Sequence, residues 1–302
     1  MKILLTGTNG QLGRTLLGLL APQHEVLAPL RAELDLADPA AIAAYVSAAA
    51  PDLIINPAAY TAVDQAEQDV AGAMAINATA PGVLAQQARQ LGIGLIHYST
   101  DYVFDGSLRD SAGALLPYPE NAATNPLNVY GRSKLAGEEA IIASGCRHLI
   151  FRTSWVYSRY GKNFLLTMLR LAAERDALRV VNDQWGAPSS AMTIAATTAS
   201  IIAMLPSGEA AQAWWDSHGG RYNLTTTGHT SWYGFTAEIL AQAEAAGLLS
   251  KAAPSLTGIP ASEYPVPAVR PVNSCLDTRA LCARFGLTLP SWQQALAQCL
   301  TD

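Results

Sequence analysis

Short apolar segments alternate with longer alanine-rich segments of helical period over about the first two-thirds of the chain. The apolar segments are rich in leucine and β-branched residues, which is typical of buried strands. We expect strands at residues 2–6, 24–28, 52–56, 94–99, 148–153 and 178–182, and helices at 11–20, 39–49, 71–91, 128–143 and 163–175. Such strand–helix alternation predicts an α/β fold, a Rossmann-like, doubly wound parallel sheet.

The pattern changes after residue 182. Helices are expected at 193–205 and 233–246, but five prolines interrupt residues 252–272, which are predicted to be mostly loop. We therefore predict a dinucleotide-binding domain over residues 1–182 with parts of 190–250. A smaller, interleaved C-terminal lobe, mainly residues 183–302, is expected to bind substrate over the C-terminal edge of the sheet.

Composition excludes several classes of partner. The 302 residues carry a net charge of −5, so no basic field is available to bind nucleic acid. The apolar run after Met1 is too short for a secretion signal, and no segment is long enough to span a membrane. The four cysteines lie far apart, without metal-ligand spacing. These features predict a cytoplasmic protein.

A glycine-rich turn, GTNGQLG at residues 7–13, directly follows the first predicted strand and opens a helix. Gly7 permits a tight turn, Gly10 lets the backbone approach a diphosphate, and Gly13 lets helix and strand pack closely. A turn without a ligand is the alternative, but the position of the motif favours a nucleotide. The other candidate cofactor contacts are Asn9, Gln11, Leu12, Arg31, Asp35, Leu36, Ala58, Ala59, Tyr60 and Ser99.

The second strand is expected to end near the adenosine of a dinucleotide. Asp35 can accept a hydrogen bond from the adenine amino group, and the small Ala58 and Ala59 leave room for the middle of the cofactor. An acidic residue usually binds the ribose 2′-hydroxyl of NAD, whereas Arg31 here favours a 2′-phosphate. We expect NADPH, with NADH as the alternative because Glu33 lies nearby.

Tyr130 and Lys134 are four residues apart in a predicted helix, so both side chains leave the same face. A ketone that accepts hydride needs a proton at its oxygen, and a nearby cation lowers the pKa of a phenol. Lys134 is expected to lower the pKa of Tyr130 and to bind the nicotinamide ribose. Taken alone, the spacing is common by chance and is more typical of an exposed pair on a helix. Thr100, at the end of the fourth strand, can orient the substrate carbonyl toward Tyr130 and complete a catalytic set.

Trp155 follows the fifth strand at the same edge and offers a flat face on which a sugar ring can stack, although a core aromatic is the alternative. Six ordered motifs extend the pattern across nearly the whole chain: NPAAYTAVD (56–64), YSTDYVFDG (98–106), NVYGRSKLAGE (128–138), FRTSWVY (151–157), NDQWGAP (182–188) and RPVNS (270–274). With these motifs the chain resembles the extended short-chain dehydrogenase/reductase superfamily and, within it, the dTDP-4-dehydrorhamnose reductases.

The resemblance implies a reaction and the roles of several residues. The family reduces the 4-keto group of a dTDP-linked 6-deoxy sugar to give dTDP-L-rhamnose. Tyr130 would protonate the new oxygen, and Thr61, Val63, Thr100, Asp101 and Trp155 would bind the sugar nucleotide. Residues 182–188 and 270–274 would line the dTDP half of the cleft.

One departure from the family pattern concerns a metal. The resemblance also implies a metal, because in some members of the family carboxylates bind a magnesium ion that bridges a dimer. Thr15 and Met192 occupy the matching positions here. Neither side chain is a carboxylate ligand for a hard cation, so we expect no metal site and a monomer or weak homodimer.

Three related functions are alternatives. Dehydratases of the superfamily typically have Thr-Asp-Glu at the end of the fourth strand. Tyr102 stands at the position of the glutamate here, which disfavours dehydration. An epimerase is not excluded by residues alone. A third alternative is non-catalytic, because the regulatory subunit of methionine adenosyltransferase resembles this family and binds NADP.

Overall fold

A large parallel sheet organises the chain. The computed structural model describes residues 1–301. The strands are β1 (Lys2–Leu5), β2 (Glu25–Leu27), β3 (Leu53–Asn56), β4 (Gly94–Thr100), β5 (Arg147–Thr153), β6 (Val156–Tyr157), β7 (Ala177–Val181), β8 (Trp185–Gly186), β9 (Ser189–Ser190), β10 (Gly220–Asn223), β11 (Thr230–Ser231), β12 (Ser255–Ile259) and β13 (Asn273–Ser274). Six of them form one sheet in the order β10-β5-β4-β3-β1-β2, with every neighbouring pair parallel.

The connections are mostly helical. The α-helices are α1 (Gln11–Leu20), α2 (Pro39–Ala49), α3 (Val63–Ala66), α4 (Val70–Met74), α5 (Ala80–Leu91), α6 (Val129–Ser144), α7 (Phe164–Glu174), α8 (Ala191–Ala203), α9 (Ala210–His218), α10 (Trp232–Ala245), α11 (Arg279–Phe285) and α12 (Trp292–Thr301). Short 3₁₀ turns lie at Asp101–Val103 and Ala261–Glu263. None of the helices within residues 1–301 is both long enough and apolar enough to cross a bilayer.

Both faces of the sheet are covered, as the continuous apolar strands require. In β1, Ile3 and Leu5 face a core that includes residues of α1 and α8, whereas Leu4 faces a second core with residues of α2, α5 and α6. The strand order reverses between β1 and β3, and in doubly wound sheets ligands bind at the carboxyl ends of the strands at such a point. The predicted doubly wound sheet is confirmed.

The sixth predicted strand, at residues 178–182, does not belong to this sheet. β7 instead pairs with β12 in a separate two-stranded sheet, and Leu178 and Val180 pack in a third core with residues of α7, α10 and α12. The place beside β5 is taken by β10, which was not predicted. Expecting mostly loop at residues 252–272 was wrong in part, because β12 lies there, before most of the prolines.

The predicted helix at residues 71–91 is interrupted by one π-helical turn, Ala75–Thr79, between α4 and α5. Pro81 has no N–H to donate to the Asn77 carbonyl, so regular α-helical bonding is impossible there. A Cβ at Gly137 of α6 would lie 2.1 Å from that same carbonyl oxygen. The glycine therefore lets α6 pack closely against the π turn.

Candidate active site

The residues singled out from the sequence line one cleft of about 860 Å³ at the carboxyl ends of the central strands. The structure brings together Gly7, Asn9, Gly10, Gln11, Leu12, Gly13, Arg31, Asp35, Leu36, Ala58, Ala59, Tyr60, Thr61, Val63, Ser99, Thr100, Asp101, Tyr130, Lys134 and Trp155. The cleft runs from the start of α1 to the start of α6, so a single elongated ligand can contact both ends.

The glycine turn is shaped by close backbone contacts. Gly7 has a φ of 62°, and a Cβ there would lie 2.8 Å from the Ala58 Cα. A Cβ at Gly13 would lie 2.2 Å from the Gly7 carbonyl oxygen. Gly10 precedes α1 without a side-chain cap, which leaves the first N–H groups of the helix free to bind an anion. This cradle fits the diphosphate of a dinucleotide.

The adenosine end of the cleft is polar and open. Arg31 is 85% exposed in its side chain, and its Nε lies 4.0 Å from the Asp35 carboxylate. Glu33 does not line the cleft, and its carboxylate accepts a hydrogen bond from the Leu30 N–H at 2.7 Å. The Asp35 carboxylate also accepts from the Ala37 N–H at 3.0 Å. The Arg31 guanidinium is thus free to turn toward a phosphate.

Asn77 in the π turn fixes the segment after β3. Its Oδ1 accepts from the Tyr60 N–H at 2.8 Å, and its Nδ2 donates to the Tyr60 carbonyl at 3.0 Å and to the Ser133 hydroxyl at 2.9 Å. The wall of the cleft around Tyr60 is therefore held against α6 by one buried side chain. Sequence reasoning missed Asn77; the visible signal was a proline four residues later inside a helical pattern.

The end of β4 supplies Thr100 and Asp101. The Thr100 hydroxyl donates to the Asp101 carboxylate at 3.1 Å and accepts from the Tyr102 N–H at 3.2 Å. Burial raises the pKa of Asp101 to about 7, and hydrogen bonds from Ser274 and Thr100 oppose that rise. Asp101 is only 3% exposed, and neither its Oδ2 nor the Ser99 hydroxyl has a hydrogen-bond partner of good geometry. Both residues line the cleft, and these two buried polar atoms lack a partner within the protein.

Tyr130 enters the cleft from the first turn of α6, which Asn128 caps by accepting from the Gly131 N–H at 2.8 Å. Burial raises the pKa of Tyr130 to about 12; the hydrogen bond with Thr100 lowers it and the Asp101 charge raises it. The expectation that Lys134 lowers the pKa of Tyr130 is therefore wrong for this structure. The phenol keeps its proton at neutral pH and can donate it.

Lys134, one turn further along α6, is 1% exposed. Its ammonium donates to the Tyr98 carbonyl at 2.6 Å, and its Nζ lies 3.2 Å from His97 Nε2. Burial lowers the pKa of Lys134 to about 8, and the Glu138 carboxylate opposes that fall. The ammonium is directed to the strand end rather than to the Tyr130 phenol, which explains why it does not make the phenol more acidic.

Trp155 lies at the opposite wall in a left-handed backbone conformation, φ 49°. Its indole stacks on Trp232 with the ring centroids 3.5 Å apart and the planes 8° apart. Behind it, a Cβ at Gly186 would lie 2.5 Å from the indole. One face of Trp155 is thus already covered, and Trp232, which sequence reasoning missed, also lines the cleft.

The two motifs expected at the dTDP half contact each other. β8 pairs with β13, so residues 182–188 and 270–274 lie side by side, but the residues that line the cleft include none of either motif. Arg270 donates to the Asp64 carboxylate at 2.8 Å. The motifs therefore support the wall from behind, through Gly186 against Trp155 and Ser274 beside Asp101.

Lys162 is another lining residue that the sequence did not indicate. It lies in the loop before α7, and that loop is tied to the glycine turn because Gln11 Oε1 accepts from Ser158 at 2.8 Å and from Asn163 at 2.9 Å. A cation is thereby held near the free N–H groups of α1. At the positions considered for magnesium, the Thr15 hydroxyl donates to the Gln11 carbonyl at 2.9 Å, and Met192 lies in α8.

Together, a doubly wound sheet, an open glycine turn and a Thr–Tyr–Lys set in one cleft define a nucleotide-dependent reductase of the extended short-chain dehydrogenase/reductase type. Residues 1–302 match the model of the RmlD substrate binding domain family. The chain belongs to this family, and several of its relatives are named dTDP-4-dehydrorhamnose reductase.

Individual relatives support the assignment. The dTDP-4-dehydrorhamnose reductase of Burkholderia thailandensis is 46% identical over 100% of this chain and 99% of its own length. That of Escherichia coli is 42% identical over 100% of this chain and 98% of its own. A crystal structure of the Bacillus anthracis enzyme in complex with NADP superposes with a TM-score of 0.87 at 31% identity, covering 99% of this chain and 98% of the other.

Proposed function

We propose that the protein reduces the 4-keto group of dTDP-4-dehydro-L-rhamnose to give dTDP-L-rhamnose, with NADPH as the hydride donor. The observation that carries the proposal is the continuity of one cleft from the α1 glycine turn to the Thr100–Tyr130 pair. A ligand bound at the turn extends along the cleft to a proton donor.

The residues fit a dinucleotide. The free N–H groups at the start of α1 and the Lys162 ammonium would bind the diphosphate, and Arg31 would bind a 2′-phosphate. Ser99, whose hydroxyl lacks a partner, and Lys134 would contact the nicotinamide end. The hydride is what the bound dinucleotide contributes to the reaction. Arg31 favours NADPH, with NADH as a slower alternative, and the Bacillus anthracis relative was crystallised with NADP.

The chain's own contribution is a proton and an orientation. The Tyr130 phenol, with its pKa raised to about 12, remains protonated near neutral pH and donates its proton to the C4 oxygen as that oxygen becomes negative. The Thr100 hydroxyl, which donates to Asp101 in the structure, would turn to donate to the same oxygen and fix its direction. Trp155 contacts the sugar ring, Asp101 accepts from a sugar hydroxyl, and Thr61 and Val63 contact the same ligand.

The test supplies purified protein with dTDP-4-keto-6-deoxyglucose, an upstream epimerase and NADPH, and follows the loss of reduced cofactor. We expect one NADPH consumed per sugar reduced, and faster turnover with NADPH than with NADH at equal concentration. Isomerisation of the sugar with the upstream epimerase left out, and without net consumption of NADPH, would identify an epimerase instead. No turnover, together with a stoichiometric complex with a methionine adenosyltransferase, would identify a regulatory subunit.

A further inference from the structure

A chain of four buried polar side chains connects the sheet to Lys134. The Thr6 hydroxyl lies 2.6 Å from Asn56 Oδ1, and Asn56 Nδ2 lies 3.1 Å from His97 Nδ1. His97 Nε2 lies 3.2 Å from Lys134 Nζ. None of the four residues is more than 2% exposed. Neither cofactor binding at the glycine turn nor proton donation by Tyr130 requires this row of side chains.

The chain follows the register of the sheet. Asn56 of β3 and His97 of β4 are direct partners in a parallel pair, and Thr6 follows β1, the next strand. These central strands are otherwise strongly apolar, with 0% exposure at Leu5, Ile55 and Ile96. Polar groups in such surroundings are costly unless each one is paired. Their placement in a single row that ends at Lys134 points to a role at that residue.

The charged form of Lys134 is stabilised mainly by hydrogen bonds to neutral acceptors. The carboxylate one turn away, Glu138, already accepts from Arg152 through both oxygens, at 2.9 and 2.7 Å, and lies 3.6 Å from Arg221. Its charge is therefore largely compensated by those two arginines. The acceptors that remain within hydrogen-bond distance of the ammonium are the Tyr98 carbonyl and His97 Nε2.

His97 can accept that bond only as the neutral tautomer with its proton on Nδ1. A backbone hydrogen bond with Asn56 opposes the fall in the pKa of His97, as expected when an imidazole N–H donates to a carbonyl. The Asn56 amide, turned so that its oxygen faces Nδ1, would accept as well, and the Thr6 hydroxyl can pair with either amide atom. Burial and the Lys134 charge hold the pKa of His97 well below its usual range, so the imidazole stays neutral.

We propose that His97 is a positioning residue for Lys134: a neutral, Nδ1-protonated imidazole that accepts a hydrogen bond from the ammonium and keeps it charged in the cleft. Asn56 and Thr6 fix the tautomer. The inference rests on the proposed role of Lys134 in reduction, but it concerns a charge that can be measured without any substrate.

The charged and titratable groups around Lys134 come from four elements. On α6 these are Tyr130 and Glu138, on β4 His97, and in the 3₁₀ turn after β4 Asp101. Arg152 of β5 acts on Lys134 through Glu138. Of these groups, His97 alone changes in the test below, so a change in the titration of Lys134 reports on that contact.

The test uses the cofactor-free protein with ¹³C at lysine Cε. The chain has four lysines, Lys2, Lys134, Lys162 and Lys251, and the Lys134 resonance is assigned by its loss in Lys134→Arg. We expect a titration midpoint near pH 8 in the wild type. His97→Asn keeps an amide near the Nδ1 position and removes the acceptor at Nε2, whereas His97→Gln keeps an acceptor near Nε2.

The midpoint should fall by about one pH unit in His97→Asn, because a buried ammonium loses one hydrogen bond, and should stay near the wild-type value in His97→Gln. With reductase activity as a second readout, the alkaline limb of the kcat/KM profile should shift with the midpoint in His97→Asn. An unchanged midpoint in His97→Asn would overturn the proposal, and so would the same shift in both variants.

A measurement on the wild-type protein does not depend on whether the variants fold. Long-range ¹H–¹⁵N NMR distinguishes the two imidazole tautomers, and the chain has five histidines. We expect a neutral His97 with its proton on Nδ1 at pH values near neutrality. A proton on Nε2, or an imidazolium, would contradict the assignment whatever sugar the enzyme reduces.

Discussion

Asp101 is a carboxyl group held in conditions that disfavour its charge. Folding removes it from water and raises its pKa from 3.8 to about 7. Between those values the folded chain holds a proton that the unfolded chain has lost. The free energy of unfolding therefore falls as the pH rises through that window and levels off above it. Asp101 lies beside Thr100 in the cleft, and a buried carboxyl group that lowers stability is typical of a functional site.

Asp101→Asn keeps the shape of the side chain and removes the titration. We expect wild-type protein to lose about 1–3 kcal/mol more stability than the variant between about pH 5 and pH 8. Urea unfolding of both proteins at the two pH values measures the difference, and groups common to both cancel. Equal losses in the two proteins would show that Asp101 titrates normally.

At the residue scale, sequence reasoning selected the side chains but not all of their electrostatics. Tyr130 and Lys134 were predicted on one helix face, and both line the cleft. The direction of the Tyr130 pKa shift was wrong because it depends on where the Lys134 ammonium points, and His97 and the Tyr98 carbonyl hold it. Local spacing contains no information about those partners, which come from another strand.

At the scale of elements, α1 offers two glycines in opposite surroundings. A Cβ at Gly13 would lie 2.2 Å from a backbone oxygen, whereas one at Gly18 would have nothing within 4 Å. We expect Gly13→Ala to lower the free energy of unfolding by about 1–3 kcal/mol and to weaken NADPH binding about tenfold or more.

Gly18→Ala is the matched control, and it should raise stability by about 0.5–1 kcal/mol without changing cofactor affinity, because alanine favours the helix. Thermal or urea unfolding and a fluorescence titration with NADPH give both quantities. If the two variants bound NADPH equally well, the close approach of α1 to the turn would not matter for the cofactor.

A buried ion pair joins α6 to β5 next to the active site. The Arg152 and Glu138 side chains are both 0% exposed and form two hydrogen bonds. Arg152→Met leaves the Glu138 carboxylate with only the more distant Arg221, so we expect a loss of about 3–5 kcal/mol in stability.

The exposed helical pair Arg170 and Glu174, at 60% and 50% side-chain exposure, provides the comparison. Arg170→Met should change the free energy of unfolding by less than about 0.5 kcal/mol. Chemical unfolding of the two variants side by side tests the contrast. A small loss in both variants would mean that Arg221 replaces Arg152 as the partner of Glu138.

The long, strongly periodic elements were predictable, and the short ones were not. Helix boundaries at α1 and α2 match the expected residues, because each has a clear cap or apolar period. β10 has four residues, Gly-Arg-Tyr-Asn, and becomes a strand only because the edge of β5 is available. β7 carries the same apolar signal as a strand of the main sheet, and its pairing is decided by tertiary packing.

At the scale of the whole molecule, Trp155 and Trp232 together shape one wall of the cleft. Trp232 begins α10, and Trp155 follows β5, so their stack joins two segments that are far apart in the sequence. This contact was beyond sequence reasoning because no spacing relates two tryptophans so far apart. The division into a cofactor domain and a substrate lobe remains a prediction.

We predict that assembly does not depend on a divalent metal. Within residues 1–301, no group of histidine, cysteine, aspartate or glutamate side chains is arranged to hold one. Light scattering with and without chelator should give the same mass, that of one chain or of a dimer that dissociates on dilution. A dimer that dissociates only when chelator is added would contradict this prediction.

The most direct test of the account is the effect of Tyr130→Phe on turnover of the keto sugar with NADPH. We expect kcat to fall by about a hundredfold or more while NADPH still binds, because the variant lacks only the proton donor. Tyr102→Phe, which removes a neighbouring phenol whose ring centroid is 5.6 Å away, should stay close to the wild type. Wild-type turnover in Tyr130→Phe would contradict the account.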